Sequence, residues 1–473
     1  MAKKFIKLKS EDLSQWYNDL VVKAELADYS PVKGCMVIRP YGYAIWEKIH
    51  DFMDPFIKAK GVQNAYFPLF IPESFLKKEK EHVEGFAPEL AVVTHGGGQK
   101  LTENLIVRPT SETIMYEMYK KWTQSWRDLP VMMNQWCNVV RWEQRTYLFL
   151  RTSEFLWQEG HCAHATDAEN QEMVQWALGL YKKTYNDLLA VYGVTGVKSN
   201  SEKFAGAGKT YCIEALMPNG KALQAGTSHD LSQNFAKSFD WSVQDQNGQK
   251  LYPYQNSWGL STRAIGGLIM VHGDDNGLVF PPQVAPIQLV IIPIPGHTQA
   301  KTLAEKIFVD LKTKYRCQID DLEGETAGFK FNKWEMKGVP VRIEIGDREA
   351  DANSLVLLRR DTLEKQTVSI SELKSVLDKL LVDIQNSLLE KHKKFTQDNT
   401  FKVNSYDEFK KIMSATRGFI SAHWCENSDC ETKIKQDTKA TTRCLPDGQP
   451  EENGICIYCG KPSKHRWLFA QSY

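Results

Sequence analysis

The amino-acid sequence predicts an α+β protein whose first domain is built on a mainly antiparallel sheet. Strand-like segments follow one another in residues 1–282 without regular helical crossovers, which favours antiparallel pairing over a parallel, doubly wound sheet. Strand and helix patterns then alternate in residues 283–390, which predicts a smaller α/β domain. Two close pairs of cysteines in residues 391–473 indicate a third, small α/β domain. A chain of 473 residues is long enough to form all three.

Apolar spacing and glycine positions define the elements of the first domain. Residues 41–61 have apolar side chains at helical spacing, and Gly61 ends the predicted helix. A second, longer helix is predicted over 168–193. The Pro281-Pro282 pair marks the end of the domain. Apolar and aromatic runs predict strands over 64–72, 132–144, 154–166 and 211–216.

The second domain is predicted as a strand–helix–strand–helix–strand series. The strands are expected over 286–295, 317–321 and 340–346. The intervening helices are expected over 302–315 and 329–338. Because a helix lies in each crossover, the strands should be parallel. A lysine-containing helical stretch over 371–395 is expected to connect this domain to the third.

Charge and cysteine content exclude several classes of protein. The chain has 59 Lys and Arg against 58 Asp and Glu, so any nucleic-acid site must be local rather than a general basic surface. No apolar run approaches the ~20 residues of a membrane helix, and we expect neither a membrane nor DNA as a partner. Ten cysteines in 473 residues are too few for a disulfide scaffold and indicate a reducing, cytoplasmic compartment.

The strongest spacing signal is the cysteine cluster near the end of the chain. Four residues separate Cys425 from Cys430, and two separate Cys456 from Cys459. Two such pairs can place four thiolates around one ion in the tetrahedral geometry of structural Zn²⁺. Cys444 lies between the pairs and is an alternative ligand, although a buried packing position is about equally expected. The sequence therefore predicts a structural zinc site.

Polar and charged side chains interrupt the aromatic strands of the first domain in an unusual pattern. Charges on half-buried strands are unfavourable unless they are paired or bound to a ligand. Any one of them could belong to an internal salt bridge, but three arginines and three acids at such positions fit a site for a polyphosphate and an amine. From the residues alone, the pattern predicts a nucleotide-using enzyme. The set comprises Thr110, Glu112, Arg141, Glu143, Arg151, Thr152, Glu159, His161, Gln224, Thr227, His229 and Arg263.

At these residues the sequence resembles the class II aminoacyl-tRNA synthetases, and within them the prolyl-tRNA synthetases. The class signatures are matched in order by YGYAIWEKI running into NAYFPLFIP with Pro68, by NVVRWEQRTYLFLRTSEF and by GLSTRAIGGLIMVHGDDNG. The segments RPTSE, FLWQEGH, GTSH and SWGLSTR distinguish the prolyl enzymes from related class II families. The paired cysteines are similar to the zinc domain of the archaeal and eukaryotic-type branch.

This resemblance implies a class II catalytic domain at 1–282, an anticodon-binding domain at 283–390 and a zinc-binding domain at 391–473. It implies that the chain uses ATP and Mg²⁺ to activate L-proline, releases pyrophosphate, and transfers the prolyl group to the 3′-terminal adenosine of tRNA(Pro). It also implies a homodimer whose interface is built around residues 36–70.

The same resemblance assigns roles to the matching residues. Arg141 is expected to bridge the proline carboxylate and the α-phosphate, and Arg263 to contact the γ-phosphate and the adenine. Proline is expected to contact Thr110, Glu112, Arg141, Trp157, Glu159, His161, Phe204, His229 and Ser261. ATP is expected to contact Arg141, Glu143, Arg151, Thr152, Gln224, Thr227, Ser261 and Arg263. The candidate anticodon-reading residues are Trp334, Glu335, Lys337, Arg342 and Arg348.

Three other functions are compatible with parts of the pattern. Another class II synthetase would share the signatures, but the acceptors Thr110, Glu112 and His229 favour proline. A catalytically inactive, tRNA-binding relative usually lacks the signature arginines, whereas Arg141 and Arg263 are both present. A zinc enzyme centred on the cysteines needs an open coordination position, which four thiolates do not leave.

Overall fold

A computed structural model of the chain describes residues 6–76, 90–296 and 298–473. The first part of the first domain contains α1 (Leu13–Lys23), β1 (Ala27–Tyr29), β2 (Met36–Ile38), α2 (Pro40–Ala59), β3 (Gln63–Asn64), β4 (Phe70–Pro72), α3 (Glu73–Leu76), β5 (Ala91–Gly96), β6 (Gln99–Val107), α4 (Glu112–Trp122) and β7 (Val131–Val140). The second part contains β8 (Glu154–His164), α5 (Asp167–Lys183), β9 (Val194–Val197), β10 (Lys209–Leu216), β11 (Ala222–Ser232), α6 (Asn234–Ser238), β12 (Val243–Gln244), β13 (Lys250–Leu251), β14 (Tyr254–Ser261) and α7 (Arg263–His272).

The remaining elements form the second and third domains. The second domain contains β15 (Leu289–Pro293), α8 (Thr298–Leu311), β16 (Cys317–Ile319), α9 (Ala327–Met336), β17 (Val341–Ile345), α10 (Asp347–Asp351), β18 (Ser354–Arg359), β19 (Lys365–Ser369) and the long helix α11 (Leu373–Asp398). The third contains β20 (Thr400–Lys402), α12 (Tyr406–Ser414), β21 (Phe419–His423), α13 (Ser428–Thr438), β22 (Ala440–Pro446), β23 (Gly454–Ile455), β24 (Pro462–Ser463) and β25 (Arg466–Gln471).

The largest sheet of the described residues joins the first domain to the third. Its strand order is β20-β21-β25-β22-β9-β10-β11-β14-β8-β7-β3, and all neighbours are antiparallel except β20 with β21 and β3 with β7. The predicted antiparallel sheet is therefore confirmed, but its continuation into the third domain was not predicted. The junction pairs Leu445 with Val197 and Pro446 with Gly196. A Cβ on Gly196 would lie 2.3 Å from the Leu445 carbonyl oxygen, so this close approach depends on glycine.

The helix predicted over 41–61 is α2, and its two ends follow from proline and glycine. Pro40 occupies the first turn, where a missing N–H breaks no helical hydrogen bond. Gly61 follows the helix with φ of +88°, a conformation that glycine adopts without strain. The amphipathic pattern of residues 41–61 therefore predicted this element closely.

The strand predicted over 64–72 forms only at its ends, as β3 and β4. Between them no strand is formed, and the backbone of Phe67 bonds to side chains. Phe67 N–H donates to Gln135 Oε1 at 3.0 Å, and the buried guanidinium of Arg108 donates to the Phe67 carbonyl at 2.7 Å. Pro68 has no N–H for a ladder, which explains why pairing stops here.

The helix predicted over 168–193 ends earlier than expected. Its start, α5, is capped by Thr166 together with Glu169. After Lys183 the backbone widens into a π-helical turn, Thr184–Leu188, and Ala190 then adopts φ of +52°. The apolar periodicity continues through this stretch, so the sequence pattern alone did not reveal the end of the helix.

The second domain has its own sheet, with strand order β16-β15-β17-β18-β19. Strands β15, β16 and β17 are parallel, whereas β18 and β19 are antiparallel to their neighbours. The alternation of strands and helices is confirmed, and the three predicted strands are parallel. The whole sheet is mixed, because the connections from β17 to β18 and from β18 to β19 are too short for parallel crossovers. The predicted connector over 371–395 corresponds to α11. This helix continues past residue 390, so the predicted boundary between the second and third domains lies inside it. Within the described ranges, no helix is both long and apolar enough to cross a bilayer.

Candidate active site

A cleft opens over the central strands of the large sheet, and strand alternation determines which side chains face it. Successive residues of a strand point to opposite faces, so the odd-numbered residues of 157–161 on β8 and of 257–261 on β14 line the cleft together. Cys162 points the other way and is fully buried in the core. These alternating positions include Trp157, Glu159, His161 and Ser261, all predicted from the sequence.

A β-bulge brings the polar residues of β11 to the same face. The register of β10 against β11 shifts by one residue at Ala225. In a regular strand Gln224 and Thr227 would point to opposite faces, but the extra residue restores a common direction. Gln224, Thr227 and His229 therefore all line the cleft.

Thr110 and Glu112 line the cleft at the beginning of α4. Glu112 is the first residue of that helix, where the peptide dipoles favour a negative charge. The Thr110 hydroxyl donates a hydrogen bond to Glu112 Oε2, and both side chains are buried. This pair presents oxygen acceptors to the cleft, an arrangement suited to a cationic amine.

The carboxylate of Glu159 is held in a buried polar layer beneath the cleft. Its Oε1 accepts hydrogen bonds from Ser111 Oγ and, at 2.6 Å, from Gln135 Nε2, with Cys137 Sγ at 3.4 Å. Its Oε2 lies 2.8 Å from His161 Nε2. Burial disfavours the charged imidazole, but the hydrogen bond and the negative charge of Glu159 outweigh it and raise the pKa of His161. Ser111 and Gln135 were not predicted, because their roles depend on strand pairing.

His229 and Phe204 form one wall of the cleft. Their rings stack with centroids 4.5 Å apart and planes inclined by 28°. The two ring nitrogens of His229 lie 3.0 Å from Thr210 Oγ1 and 3.1 Å from Thr227 Oγ1. Burial lowers the pKa of His229 to about 4, so the imidazole is neutral at neutral pH. The wall is therefore uncharged and largely apolar.

Arg141 and Arg263 line the same cleft and lie close enough for their charges to interact. Burial lowers the pKa of Arg263, and the positive charge of Arg141 lowers it further. Arg141 Nε donates to the Pro109 carbonyl at 3.0 Å, and Arg263 Nε donates to the Leu150 carbonyl at 3.1 Å. Two neighbouring arginines in one cleft form a site that a polyanionic ligand stabilises.

Three of the predicted ATP contacts lie near the cleft but do not line it. Arg151 Nε donates to Glu143 Oε2 at 2.6 Å, and the Arg151 side chain is half exposed. Thr152 is buried, and its hydroxyl donates to the Glu154 carbonyl at 2.7 Å. All three belong to the loop between β7 and β8, where internal contacts hold them.

Eight lining residues were not predicted by the sequence analysis, namely Phe155, Glu202, Thr210, Ala225, Gly226, Ser257, Trp258 and Gly259. Phe155 continues the alternation of β8 by one step and could have been found in that way. Thr210 is the cross-strand partner of His229, and Glu202 belongs to the segment between β9 and β10. No local sequence signal marks either of these two.

Comparison with known proteins assigns the chain to a family. Three family profiles match: "tRNA synthetase class II core domain (G, H, P, S and T)" over 93–272, "Anticodon binding domain" over 288–380 and "Prolyl-tRNA synthetase, C-terminal" over 406–473. The chain is 54% identical over 463 residues to a proline–tRNA ligase of Alkaliphilus oremlandii, covering 98% of this chain and 96% of the relative. It is 53% identical over 465 residues to proline–tRNA ligase 2 of Clostridioides difficile, covering 98% and 97%.

The chain belongs to the prolyl-tRNA synthetase family. It is also similar to the crystal structure of prolyl-tRNA synthetase from Cryptosporidium parvum complexed with halofuginone and AMPPNP, with a TM-score of 0.95, 43% identity and 99% of each chain covered. The predicted class II fold is thereby confirmed.

The second domain of this synthetase holds two of the predicted anticodon-reading side chains in internal contacts. Trp334 is 4% exposed, and its Nε1 donates to Asp320 Oδ2 at 2.7 Å. Arg342 is 5% exposed and pairs with Glu335 and Glu344, each at 2.8 Å. In this arrangement Trp334 and Arg342 are not presented for base stacking or edge contacts, so their assignment to the anticodon requires these internal contacts to open and stays a prediction.

Two further anticodon candidates differ in their surroundings. Lys337 pairs with Glu25 of the first domain, so it connects two domains. Arg348 is exposed on the short helix α10. Of the five candidates, Arg348 has the accessibility that a nucleic-acid contact requires.

The four predicted metal ligands of the synthetase meet at one point. Their sulfur atoms all lie within 4.8 Å of one another, with Cys425 Sγ 3.7 Å from Cys430 Sγ and 3.6 Å from Cys459 Sγ. Tetrahedral coordination at the usual Zn–S length of about 2.3 Å places sulfur atoms about 3.8 Å apart. The cluster, completed by Cys456, therefore fits Zn²⁺.

Cys444 is not part of this cluster. It lies on β22, fully buried among apolar side chains and Cys212 at the contact between the first and third domains. The alternative of Cys444 as a metal ligand is therefore wrong, and its packing role is the correct one.

Proposed function

We propose that the cleft activates L-proline with ATP and then transfers the prolyl group to tRNA(Pro). The observation that supports this best is that Arg141 and Arg263 line the same cleft as the buried acceptors Thr110 and Glu112. A polyphosphate satisfies the arginines, and an amine satisfies the acceptors. Membership of the family names the amino acid as proline.

In the first step a carboxylate oxygen of proline attacks the α-phosphorus of ATP. The bond from that phosphorus to the bridging oxygen of pyrophosphate breaks, which yields prolyl-adenylate and pyrophosphate. The nucleophile is already an anion, so the step needs no general base, and catalysis consists of positioning and charge neutralisation. Arg141 contacts the carboxylate and the α-phosphate, while Arg263 contacts the γ-phosphate and the adenine, with Gln224 and Thr227 also holding ATP.

The amino-acid pocket is built for a small ring with a secondary ammonium group. That group donates its two N–H bonds to Thr110 and Glu112. The ring packs between Trp157, Phe204 and His229, whose neutral imidazole adds no charge to an apolar wall. The remaining contacts come from Glu159, His161 and Ser261.

When bound, Mg²⁺ would neutralise phosphate charge, and a carboxylate is the kind of protein ligand it takes. Glu143 is the proposed protein ligand, because it lies in the loop beside Arg151 and Thr152 that is assigned to ATP. The Arg151 guanidinium, now paired with Glu143, then contacts a phosphate.

In the second step the hydroxyl of the 3′-terminal adenosine of tRNA attacks the carbonyl carbon of prolyl-adenylate. The bond from that carbon to the phosphate oxygen breaks, and AMP leaves with the hydroxyl proton. The second domain matches an anticodon-binding family, which supports tRNA as the partner. Arg348 is the proposed contact there, because it is exposed. A role for Glu335 or Lys337 requires that its present ion pair opens.

We further propose that Zn²⁺ occupies the cluster of four cysteines and stabilises the third domain. Four thiolates complete a tetrahedral shell and leave no position open for a substrate, so the ion is structural. The cytoplasm is the proposed compartment, because all ten cysteines are free thiols and a reducing environment keeps them so.

A homodimer is proposed around residues 36–70. This segment contains several large apolar side chains that are exposed in the single chain, namely Val37, Tyr43, Phe56, Tyr66 and Phe70. Burial of these side chains against a second copy of the chain would remove apolar surface from water. Light scattering should give about twice the chain mass of 54.1 kDa, and a mass of one chain would exclude the dimer.

Amino-acid-dependent ATP–pyrophosphate exchange, measured with each of the twenty amino acids and without tRNA, tests the main proposal. Strong exchange with proline, well above cysteine and alanine, supports both the reaction and the substrate. Strong exchange with another amino acid overturns the pocket assignment but keeps the class of reaction. No exchange from folded, zinc-loaded protein favours a synthetase-like binding protein.

A further inference from the structure

The segment between β9 and β10 connects the cleft to the third domain. We call residues 198–208 the cleft loop, because Glu202 and Phe204 of this segment line the cleft. Its other side contacts α13 and β22 of the third domain. The path between these two sides can be followed bond by bond.

Glu431, on the first turn of α13, holds the beginning of the cleft loop. Its Oε1 accepts a hydrogen bond from Ser199 Oγ at 2.9 Å, and the Thr442 hydroxyl contacts both of these oxygens. Ser199, Glu431 and Thr442 are all nearly fully buried. Within the loop, Glu202 N–H donates to Ser199 Oγ at 3.3 Å. The Glu431 carboxylate of the third domain thus orients the Ser199 hydroxyl, and that hydroxyl accepts the hydrogen bond from Glu202 N–H within the loop.

A buried ion-pair network lies beside this contact. Lys198 Nζ donates to Glu214 Oε1 at 2.7 Å, and Arg443 of β22 donates to Glu214 Oε2 at 2.8 Å. All three side chains are buried, so their relative positions are fixed by strong, desolvated interactions. The residue that precedes Ser199 is therefore also anchored against the third domain.

The other end of the cleft loop forms the amino-acid pocket. Phe204 N–H donates to Thr210 Oγ1 at 2.9 Å, and the same oxygen lies 3.0 Å from His229 Nδ1. Phe204 stacks on His229, which it holds against the cleft. A displacement of the loop therefore moves a pocket wall without touching the arginines that are assigned to ATP.

We propose that the third domain positions the amino-acid pocket, with Glu431 as a positioning residue that acts through Ser199 on Phe204 and His229. The inference rests on the proline-activating function proposed above. It gives the third domain a role in substrate affinity in addition to stability. Glu431 directly follows Cys430 in the sequence, so one cysteine of the metal cluster and the positioning residue lie in the same turn of α13.

The test compares two variants that each remove one hydroxyl from the same carboxylate. Ser199→Ala removes the hydroxyl that joins the cleft loop to Glu431, whereas Thr442→Ala removes a hydroxyl that contacts both Ser199 and Glu431 but leaves the Glu431–Ser199 bond in place. In ATP–pyrophosphate exchange we expect Ser199→Ala to raise KM for proline about fivefold, the effect of removing one hydrogen bond. Both kcat and KM for ATP should stay within about twofold of wild type. Thr442→Ala should leave KM for proline unchanged.

Hydrogen exchange of residues 200–208 provides a readout that does not depend on the amino acid activated. Faster exchange in Ser199→Ala and in Glu431→Gln, with no change in Thr442→Ala, supports the proposal even if the substrate assignment fails. Unchanged exchange together with an unchanged KM for proline in Ser199→Ala overturns it. Equal effects of Ser199→Ala and Thr442→Ala also overturn it, because they indicate general destabilisation.

If Ser199→Ala does not fold, the surface pair between Lys435 and Glu202 replaces it. Lys435 Nζ lies 3.8 Å from Glu202 Oε1, and Lys433 is an exposed lysine on the same helix. Lys435→Gln should speed exchange of the cleft loop relative to the matched control Lys433→Gln. Identical exchange in these two variants, together with unchanged exchange in Glu431→Gln, overturns the proposal.

Discussion

Replacement of Arg141 by lysine tests the proposed adenylation chemistry most directly. The guanidinium of Arg141 is fixed by the hydrogen bond from Nε to the Pro109 carbonyl and lies over the rings of Phe155 and Trp157, at 5.6 Å and 5.4 Å. These interactions set its plane and hence the directions of its other donors. Lysine keeps the charge but replaces the planar fork with one ammonium group, so it cannot bridge two anionic oxygens in the same geometry.

The expected size of the effect follows from the hydrogen bonds to substrate that each substitution removes. A hydrogen bond to a charged group contributes about 1.5–3 kcal/mol, and about 1.4 kcal/mol corresponds to a factor of ten. Arg141→Lys removes one of two such hydrogen bonds, so kcat/KM for proline should fall about 10- to 150-fold. Arg141→Gln removes both of them together with the charge, so its kcat/KM should fall about 10²- to 10⁴-fold.

The assay is proline-dependent ATP–pyrophosphate exchange without tRNA. Arg145 lies exposed on the same loop, and Arg145→Lys is the matched control, with kcat/KM expected within about twofold of wild type. Circular dichroism and thermal unfolding check that each variant is folded. A wild-type kcat/KM in Arg141→Lys would refute the assignment of Arg141 to the carboxylate and the α-phosphate.

Three further predictions concern stability, pH and metal. Glu214 is fully buried between Lys198 and Arg443, so Glu214→Gln leaves two buried cations without this counter-charge. The free energy of unfolding in urea titrations should therefore fall by about 3–5 kcal/mol. Glu408→Gln at an exposed position is the control, and equal urea midpoints for the two variants would contradict the expectation. Burial lowers the pKa of His229 to about 4 from 6.5, so between these values the unfolded chain binds more protons and stability is lost as the pH falls. The thermal midpoint of His229→Gln should therefore fall less than that of wild type between about pH 7 and about pH 5, and parallel falls would exclude a neutral buried His229. Elemental analysis should find one zinc ion per chain. Cys456→Ser should lose the ion and unfold at a lower temperature, whereas Cys317→Ser should keep it. A metal-free wild-type protein with the same thermal midpoint as the zinc-loaded protein would disprove the structural role.

Local sequence patterns predicted the parts of the site that depend on local geometry. The alternation of a strand is enough to place Trp157, Glu159 and His161 on one face, and helical spacing is enough to define α2. The cysteine spacing indicated four sulfur atoms that the structure brings within 4.8 Å of one another. The family resemblance then identified which polar residues belong to the cleft, and most of them do line it.

The features that could not be predicted depend on contacts between distant segments. The bulge at Ala225 is visible only in the register of β10 against β11. Gln135 reaches Glu159 only because β7 pairs with β8, and Trp334 reaches Asp320 only because α9 packs beside the end of β16. The end of α5 was missed because apolar periodicity continues through the π-helical turn that follows it.

The shared sheet of the first and third domains has a consequence for how the protein unfolds. Strands β9 and β22 belong to different domains but to one hydrogen-bonded ladder, whereas the second domain has its own sheet. Cooperative units follow packing and pairing rather than order along the chain. We therefore expect the cleft and the cysteine cluster, which are distant in sequence, to melt in one transition, while the second domain, which lies between them in sequence, melts in another.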